Sequence, residues 1–467
     1  MVLHLNKTNS IGRAKKVCYN IREHDIERNV IKKTKGMGES MILIKNGYVI
    51  DPNSKMEEVQ DILIDQDRIV RIGKNLLEEL PTKPEKIIHA DGLVVAPGLV
   101  DVHVHFRDPG FTYKEDIETG AKAAAAGGFT SVVLMANTNP VVDKEETLTY
   151  VIEKGSRTGI HVYTCATITR GMQGRELTDM NELLEKGAVG FTDDGVPIVD
   201  ETLVRKAMET AADLQVPLSF HEENPAFITN NGINAGKAAE HYGLKGSPRE
   251  AEIDLVKRDL ALAIETGVDI NIQHISSKEA VELVREAKKK SSHIHAEATP
   301  HHFTLTEEAV IQHGTLAKMN PPLRTEEDRQ AIIEGLADGT IDLIATDHAP
   351  HSTEEKKKPI TEAPSGIIGL ETALSLGITS LVATGKLTLC QLLEKMTCNP
   401  AHLYHLHAGE IREGAPADLI IFAEKESWEV KRFYSKSANS PFIGEKLQGK
   451  LIYTMCNGEI VYDNRRN

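Results

Sequence analysis

Two histidines one residue apart, His103 and His105 in "VDVHVHF", are the first residues in the chain whose spacing suggests chemistry. If that stretch is a strand, a separation of two puts both imidazoles on one face, within reach of a single metal ion. Further donors recur downstream, each directly after a short apolar or β-branched run. They are Asp193 and Asp194 in "VGFTDDG", His221 in "PLSFHEEN", His274 in "INIQHIS" and Asp347 in "DLIATDHAPH". Imidazole nitrogens and carboxylate oxygens together form a donor set suited to Zn2+. Any one of these histidines is explained as well by a hydrogen-bonded place in a core. An ordered set at successive strand ends is not.

The elements that must hold these residues can be read from the alternation around them. Strand-like runs fall near 97–104, 130–136, 160–167, 188–192, 216–221, 269–274, 293–298 and 342–347, mostly separated by helical stretches such as "KEDIETGAKAAAAGG" and "EEDRQAIIEGLADG". Eight such units over about 250 residues predict an α/β fold of the TIM-like (β/α)8 barrel type, whose chemistry sits at the carboxyl ends of the strands. A doubly wound open sheet is the alternative, but no G-x-G-x-x-G follows the first strand. The donors fall where a barrel would use them.

Residues 41–95 and 409–467 read instead as short strands joined by turns, with Asn46-Gly47, Asp91-Gly92 and Asn457-Gly458 as two-residue turn signals. The expectation is a small composite β domain built from both termini, flanking a barrel over 96–408. Residues 1–40 are polar, poor in large apolar residues and lack the apolar centre of a signal peptide. They read as a disordered or non-native extension.

Composition narrows the partners. The 467 residues are 40% hydrophobic and 26% charged, with a formal charge of −15. That excess of negative charge argues against nucleic acid and against an anionic membrane surface. No run of 18 apolar residues is present to span a bilayer. Five scattered cysteines (Cys18, Cys165, Cys390, Cys398, Cys456) without a C-x-x-C pair fit a reducing cytoplasm and no cysteine zinc site.

The stretch "DVHVHFRDPGFTYKEDIETGAKAAAAGGFT", followed by "MANTNP", "FTDDG", "HEEN", "HISS", "TPHHF", "KMNPPLR", "DLIATDHAPH" and "SGIIGLET", resembles the dihydroorotases of the cyclic amidohydrolase superfamily. "HFRDPG", "NPPLR" and "ATDHAPH" narrow the resemblance to the long bacterial type, and it runs from about Met41 to the C-terminus. The resemblance implies a zinc-dependent dihydroorotase. Its reaction is the reversible cyclisation of N-carbamoyl-L-aspartate to (S)-dihydroorotate plus water, in de novo pyrimidine biosynthesis. It also implies two zinc sites: His103, His105 and Asp347 at the more buried one, His221 and His274 at the second, and Asp194 rather than Asp193 as the bridge. No lysine lies in "AVGFTDDG" to serve as the carboxylated bridge of wider relatives. Asp347 would shuttle the proton between nucleophile and leaving nitrogen.

Arg107, two residues after His105, is placed to take the substrate's α-carboxylate bidentately. The resemblance gives it Asn137 as helper, with His105, Asn320, His351 and the backbone around Ser365 and Gly366 completing the pocket. The competing role for Arg107 is an ion pair with Asp108 or Glu115, and for Asn320 a turn-stabilising amide. His301-His302 is expected to orient its loop, and the charged run at 354–359 to be a solvated mobile loop, with a lid as the other reading. An allantoinase or dihydropyrimidinase is the alternative enzyme. A non-catalytic partner of aspartate transcarbamoylase is disfavoured because every ligand position is filled. A homodimer and a complex with aspartate transcarbamoylase are both compatible with the sequence.

Overall fold

The computed structural model describes residues 41–466, so the expectation for residues 1–40 lies outside the described residues. Strands β1 (Met41–Asp51), β2 (Met56–Asp65), β3 (Arg68–Gly73), β4 (Lys86–His89) and β5 (Val94–Pro97) come first. Strands β13 (Leu419–Glu429), β14 (Lys446–Cys456) and β15 (Glu459–Asp463) come last. Together they form one sheet in the order β15-β14-β13-β5-β1-β2-β3, with β4 beside β1. The seam is β5, parallel to β1 and antiparallel to β13 with Leu419 opposite Pro97. Ile44, Val49, Ile62, Val95, Ile421 and Met455 give this sheet its own apolar core.

Two of the three turn signals mark something else. Asn46-Gly47 lies inside β1, at a bulge between Ile44 and Gly47 in the pairing with β2. A Cβ on Gly47 would sit 2.4 Å from Val95 Cγ2, so this glycine serves close strand approach rather than a hairpin. Asp91-Gly92 joins β4 and β5, which pair in parallel with successive parts of β1. Asn457-Gly458 does close a hairpin, with Cys456 opposite Glu459.

Between these halves lies the barrel. Strands β6 (Leu99–Val104), β7 (Phe129–Leu134) and β8 (His161–Thr164) form one parallel arc. A second arc consists of β9 (Leu218–Phe220), β10 (Ile270–Ile272), β11 (Ile294–Ala298) and β12 (Leu343–Ile344). Phe191, paired in parallel with Ala166 and Leu218, bridges the arcs on one side, and Val104 paired with His348 closes the ring on the other. Helices α1 (Ile117–Gly127), α2 (Glu145–Gly155), α3 (Met180–Glu185), α4 (Glu201–Leu214), α5 (Glu250–Thr266), α6 (Lys278–Lys288), α7 (Glu326–Asp338) and α8 (Leu389–Met396) follow the eight positions in turn. β6 and β7 are buried along their whole lengths, as strands covered on both faces must be.

The strand expected over 188–192 shrinks to the single rung at Phe191. The Asp193 carboxylate accepts the N–H groups of Ile168 (2.8 Å) and Thr169 (3.1 Å), taking the place of further ladder bonds. β12 is likewise shorter than expected. After Ile344, the N–H of Thr346 donates to the Asp101 carboxylate at 3.2 Å, and Asp347 turns the chain with φ +48°. α1 buries all four alanines 123–126, and α7 ends at Gly339 with φ +82°, both as the sequence suggests. Among the described residues no helix is long and apolar enough to cross a membrane.

Candidate active site

At the carboxyl ends of the barrel strands, donors from five positions converge. His103 Nε2 lies 3.4 Å from Asp194 Oδ1 and 3.6 Å from Asp347 Oδ1. His105 Nε2 is 3.0 Å from Asp347 Oδ1 and 3.5 Å from Asp194 Oδ2. His221 Nδ1 stands 3.6 Å from Asp194 Oδ1 and 2.9 Å from His274 Nε2. Two triads, His103–His105–Asp347 and His103–Asp194–His274, each place one ligand atom per residue within 4.8 Å of the others. Asp194 touches both halves, whereas Asp193 turns away to Thr169 and the loop at 168–169. Backbone dihedrals are unusual here: Arg107, His274 and Asp347 adopt φ of +59°, +30° and +48°. Left-handed conformations at non-glycine residues are costly and concentrate at functional sites.

The electrostatics fit a cation. Burial raises the Asp194 carboxyl, but His103, His221 and His105 outweigh it and hold the group well below the usual carboxylate range. Burial lowers His103, yet Glu297 and Asp194 drive it well above an ordinary histidine. His221 follows the same pattern: burial lowers it, and Asp194 and Glu223 push it up to about 9. Burial, with His221 and His103 close by, keeps His274 well below. The carboxylates thus stabilise positive charge at the centre of the cluster, and a metal ion supplies that charge with the imidazoles neutral. His103 Nε2 and Asp194 Oδ1 are buried without a hydrogen-bond partner among the described residues, as atoms reserved for an ion would be. A further group, His161, Asp418 and Cys456, begins at the amino end of β8. There His161 Nε2 and the backbone N–H of Asn457 already satisfy Asp418, at 3.0 and 2.7 Å.

Beside the cluster opens a cavity of about 110 Å³. Its walls contain every sequence candidate except His103 and His351, together with Gly195 and Ala349. Arg107 makes no ion pair with Asp108, which instead binds Tyr150 and Lys154, nor with Glu115, which binds Ser435 and Thr119. The left-handed φ also corrects the expected geometry: Arg107 is delivered by a turn after β6, not by strand alternation. Asn137 lines the same cavity as Arg107. It holds His105 Nδ1 at 2.9 Å and donates to Asp194 Oδ2 at 2.9 Å, tying two candidate ligands together. Asn320 lies 3.2 Å from His221 Nε2, the nitrogen opposite the cluster. His302 reaches the Pro321 carbonyl at 3.1 Å and so buttresses the loop carrying Asn320.

The charged run at 354–359 is solvated only in part: Glu354, Lys357, Lys358 and Pro359 are exposed, but the segment is anchored. Ser352 caps a short turn of helix at Thr353–Lys356, and Lys356 is buried with Nζ donating to the carbonyls of Pro364 (2.9 Å) and Gly366 (3.0 Å). Lys318 does the same for Ile360 and Ala363, both at 2.7 Å. Two buried ammonium groups therefore hold the 352–366 segment against the cavity.

A family model described as dihydro-orotase-like matches residues 92–280. The chain is 59% identical over 423 residues to a dihydroorotase of Clostridioides difficile (strain 630), covering 91% of this chain and all of that relative. It is 54% identical to a dihydroorotase of Clostridium acetobutylicum, again over 91% of this chain and the whole relative. The chain belongs to the dihydroorotase family. Among solved structures it resembles the L-hydantoinase (dihydropyrimidinase) from Arthrobacter aurescens, with TM-score 0.82 and 25% identity over 90% of this chain and 96% of that one. The dihydropyrimidinase from Brevibacillus agri NCHU1002 shares the fold, with TM-score 0.79 and 22% identity over 91% and 95%.

Within this dihydroorotase-family site, sequence reasoning missed Glu297, Asn271 and Lys114. Glu297 is fully buried in β11 beside His103, and Asn271 in β10 holds its other oxygen. The available signal was an acidic residue inside a short apolar strand, "IHAEA". Lys114 Nζ approaches His351 Nδ1 at 3.3 Å and pairs with Glu355 at 2.7 Å, contacts invisible in a run of mixed polar residues.

Proposed function

We propose that this chain is a zinc-dependent dihydroorotase of the cytoplasm. It interconverts N-carbamoyl-L-aspartate and (S)-dihydroorotate plus water in pyrimidine biosynthesis. The observation carrying the reading is one cavity that combines the histidine and carboxylate cluster with a half-buried guanidinium, Arg107, beside His351. Relatives of that name align over their full length. Four imidazoles with two carboxylates favour zinc over the oxygen-preferring Mg2+ and Ca2+.

In this reading His103, His105 and Asp347 would hold one ion and His221 and His274 a second, with Asp194 shared between the two sets. Bound there, zinc supplies a hydroxide nucleophile near neutral pH and Lewis-acid polarisation of the ring carbonyl. The remaining work falls to the chain. Arg107 anchors the α-carboxylate with His351 packed at its side, Asn320 and the Ser365–Gly366 backbone line the ring, and Asn137 keeps His105 and Asp194 in register. The Asp347 carboxylate accepts the nucleophile's proton and delivers it to the leaving ring nitrogen. In the direction of synthesis the ureido nitrogen attacks the carboxyl group of its own molecule, so positioning supplies much of the acceleration.

The test is turnover of dihydroorotate by the purified protein, alongside metal analysis. Zinc content near two per chain and a strong preference for dihydroorotate over dihydrouracil and allantoin are expected. Preference for either competitor would assign the chain to hydantoinase-type chemistry instead.

A further inference from the structure

Glu297 stands behind the ligand cluster rather than in it. Its Oε1 lies 2.5 Å from His103 Nδ1, the nitrogen turned away from Asp194 and Asp347, and the same oxygen accepts the backbone N–H of His274 at 3.2 Å. Oε2 accepts Asn271 Nδ2 at 2.9 Å. Asn271 also reaches Ser219 Oγ at 3.3 Å, which pairs with the Tyr404 hydroxyl at 2.6 Å. All of these side chains are buried in the barrel.

A carboxylate without solvent is retained only where neighbours compensate its charge. Here the compensation comes from an imidazole N–H, an amide N–H and one main-chain N–H. An imidazole held between a carboxylate and a cation must carry its proton on the carboxylate side, which leaves the opposite lone pair for the metal. Glu297 therefore selects the tautomer of His103 that presents Nε2 to the centre. The second contact matters as much. His274 adopts a left-handed φ of +30°, and its N–H is fixed by the oxygen that holds His103. In the proposed ligand assignment His103 belongs to one half of the cluster and His274 to the other.

We infer that Glu297 is the positioning residue that joins the two metal subsites, setting the His103 tautomer and the His274 main chain through one oxygen. The inference rests on the reading of His103 and His274 as metal ligands. It predicts that loss of the carboxylate loosens both ions together, not only the one nearest His103.

The experiment compares zinc retention by the parent, Glu297→Gln and Asn271→Ala under graded chelator, with melting of the metal-free proteins and steady-state kinetics at saturating zinc. Glu297→Gln keeps shape but not charge. Both zinc equivalents should be lost at about 10–100-fold lower chelator strength than in the parent. Metal-free melting should stay near the parent's, and kcat should fall with KM for dihydroorotate little changed, because the carboxylate anchor is untouched. Asn271→Ala should loosen both ions in the same direction by less, and it carries the test if Glu297→Gln does not fold. Retention equal to the parent in the folded variants overturns the inference, as does a drop confined to metal-free melting or to one of the two ions. A parent protein that binds no zinc, or a His103→Ala variant that keeps both ions, would instead remove the metal-ligand reading beneath it.

Discussion

The Arg107 guanidinium stands beside the His351 imidazole, Nη2 to Nε2 at 3.5 Å, although 244 residues separate them in the chain. His351 Nε2 is also 2.8 Å from the Ser365 carbonyl, so that nitrogen carries the proton and donates it there. Nδ1 is then the acceptor for Lys114 Nζ at 3.3 Å. Burial, reinforced by Arg107, Lys114 and Lys356, holds His351 neutral, far below an ordinary histidine. A proton-bearing nitrogen cannot accept from a guanidinium. Arg107 Nε donates to the Pro350 carbonyl at 3.3 Å, which leaves the terminal nitrogens to find an anion in the cavity they line.

Substitution at Arg107 follows directly. Arg107→Ala should lose about 100-fold or more in kcat/KM on dihydroorotate, the range expected when a charge-assisted bidentate contact is removed. Arg107→Lys keeps the charge without the fork and should also be impaired. Zinc content should match the parent in both. Dihydrouracil, lacking the carboxylate, should be a poor substrate for the parent and suffer little further in the variants. Equal losses on both substrates would show that Arg107 acts on the fold instead.

His103→Ala tests the ligand cluster. It removes Nε2 from the centre and the contact to Glu297 together. Metal and turnover should disappear in parallel, read by elemental analysis and assay. A metal-replete, fully active variant would end the assignment.

Gly366→Ala probes the backbone side of the pocket. Gly366 has φ +112°, and a Cβ there would lie 2.6 Å from Ala349 Cβ and 3.5 Å from His351 Nε2. The strain costs about 1–3 kcal/mol. The expected result is a raised KM and a lowered Tm with zinc content unchanged; an unaltered KM would remove this segment from substrate contact.

Lys356 makes a pH prediction. Burial and the neighbouring Lys318 bring its pKa down from 10.5 to about 7, against the pull of Glu355. Between those values the unfolded chain binds a proton that the folded chain does not. Its contribution to stability therefore rises with pH across that window and is lost as pH falls through about 7. Relative to Lys356→Met, the parent's Tm should climb between pH 7 and pH 10 or so. Melting curves that move in parallel would show that Lys356 keeps its charge in the fold.

The metal-type residues were legible because each ends an apolar run, and in a parallel barrel such positions share one rim. The choice between Asp193 and Asp194 was not legible from spacing, because adjacent residues differ only in which way the turn throws them. Arg107 reaches the cavity by a left-handed turn that strand periodicity does not encode. Glu297 and Asn271 meet His103 across the barrel interior, a relation set by register between strands. Lys356 looked solvated because its carbonyl acceptors lie eight and ten residues further on, and only the return of the chain brings them together. Gly47 carried a turn signature but answers to packing against Val95.

The seam between β5 and β13 has a bearing on synthesis. The ribosome makes β5 before the barrel and β13 after it, yet the two are hydrogen-bonded neighbours from Leu419–Pro97 to Phe422–Val94. A nascent chain therefore carries β5 with one unpaired edge throughout translation of the whole barrel. Open strand edges invite pairing with other chains. That edge is covered only when the last segment leaves the exit tunnel, so the early strands present it for the longest part of translation.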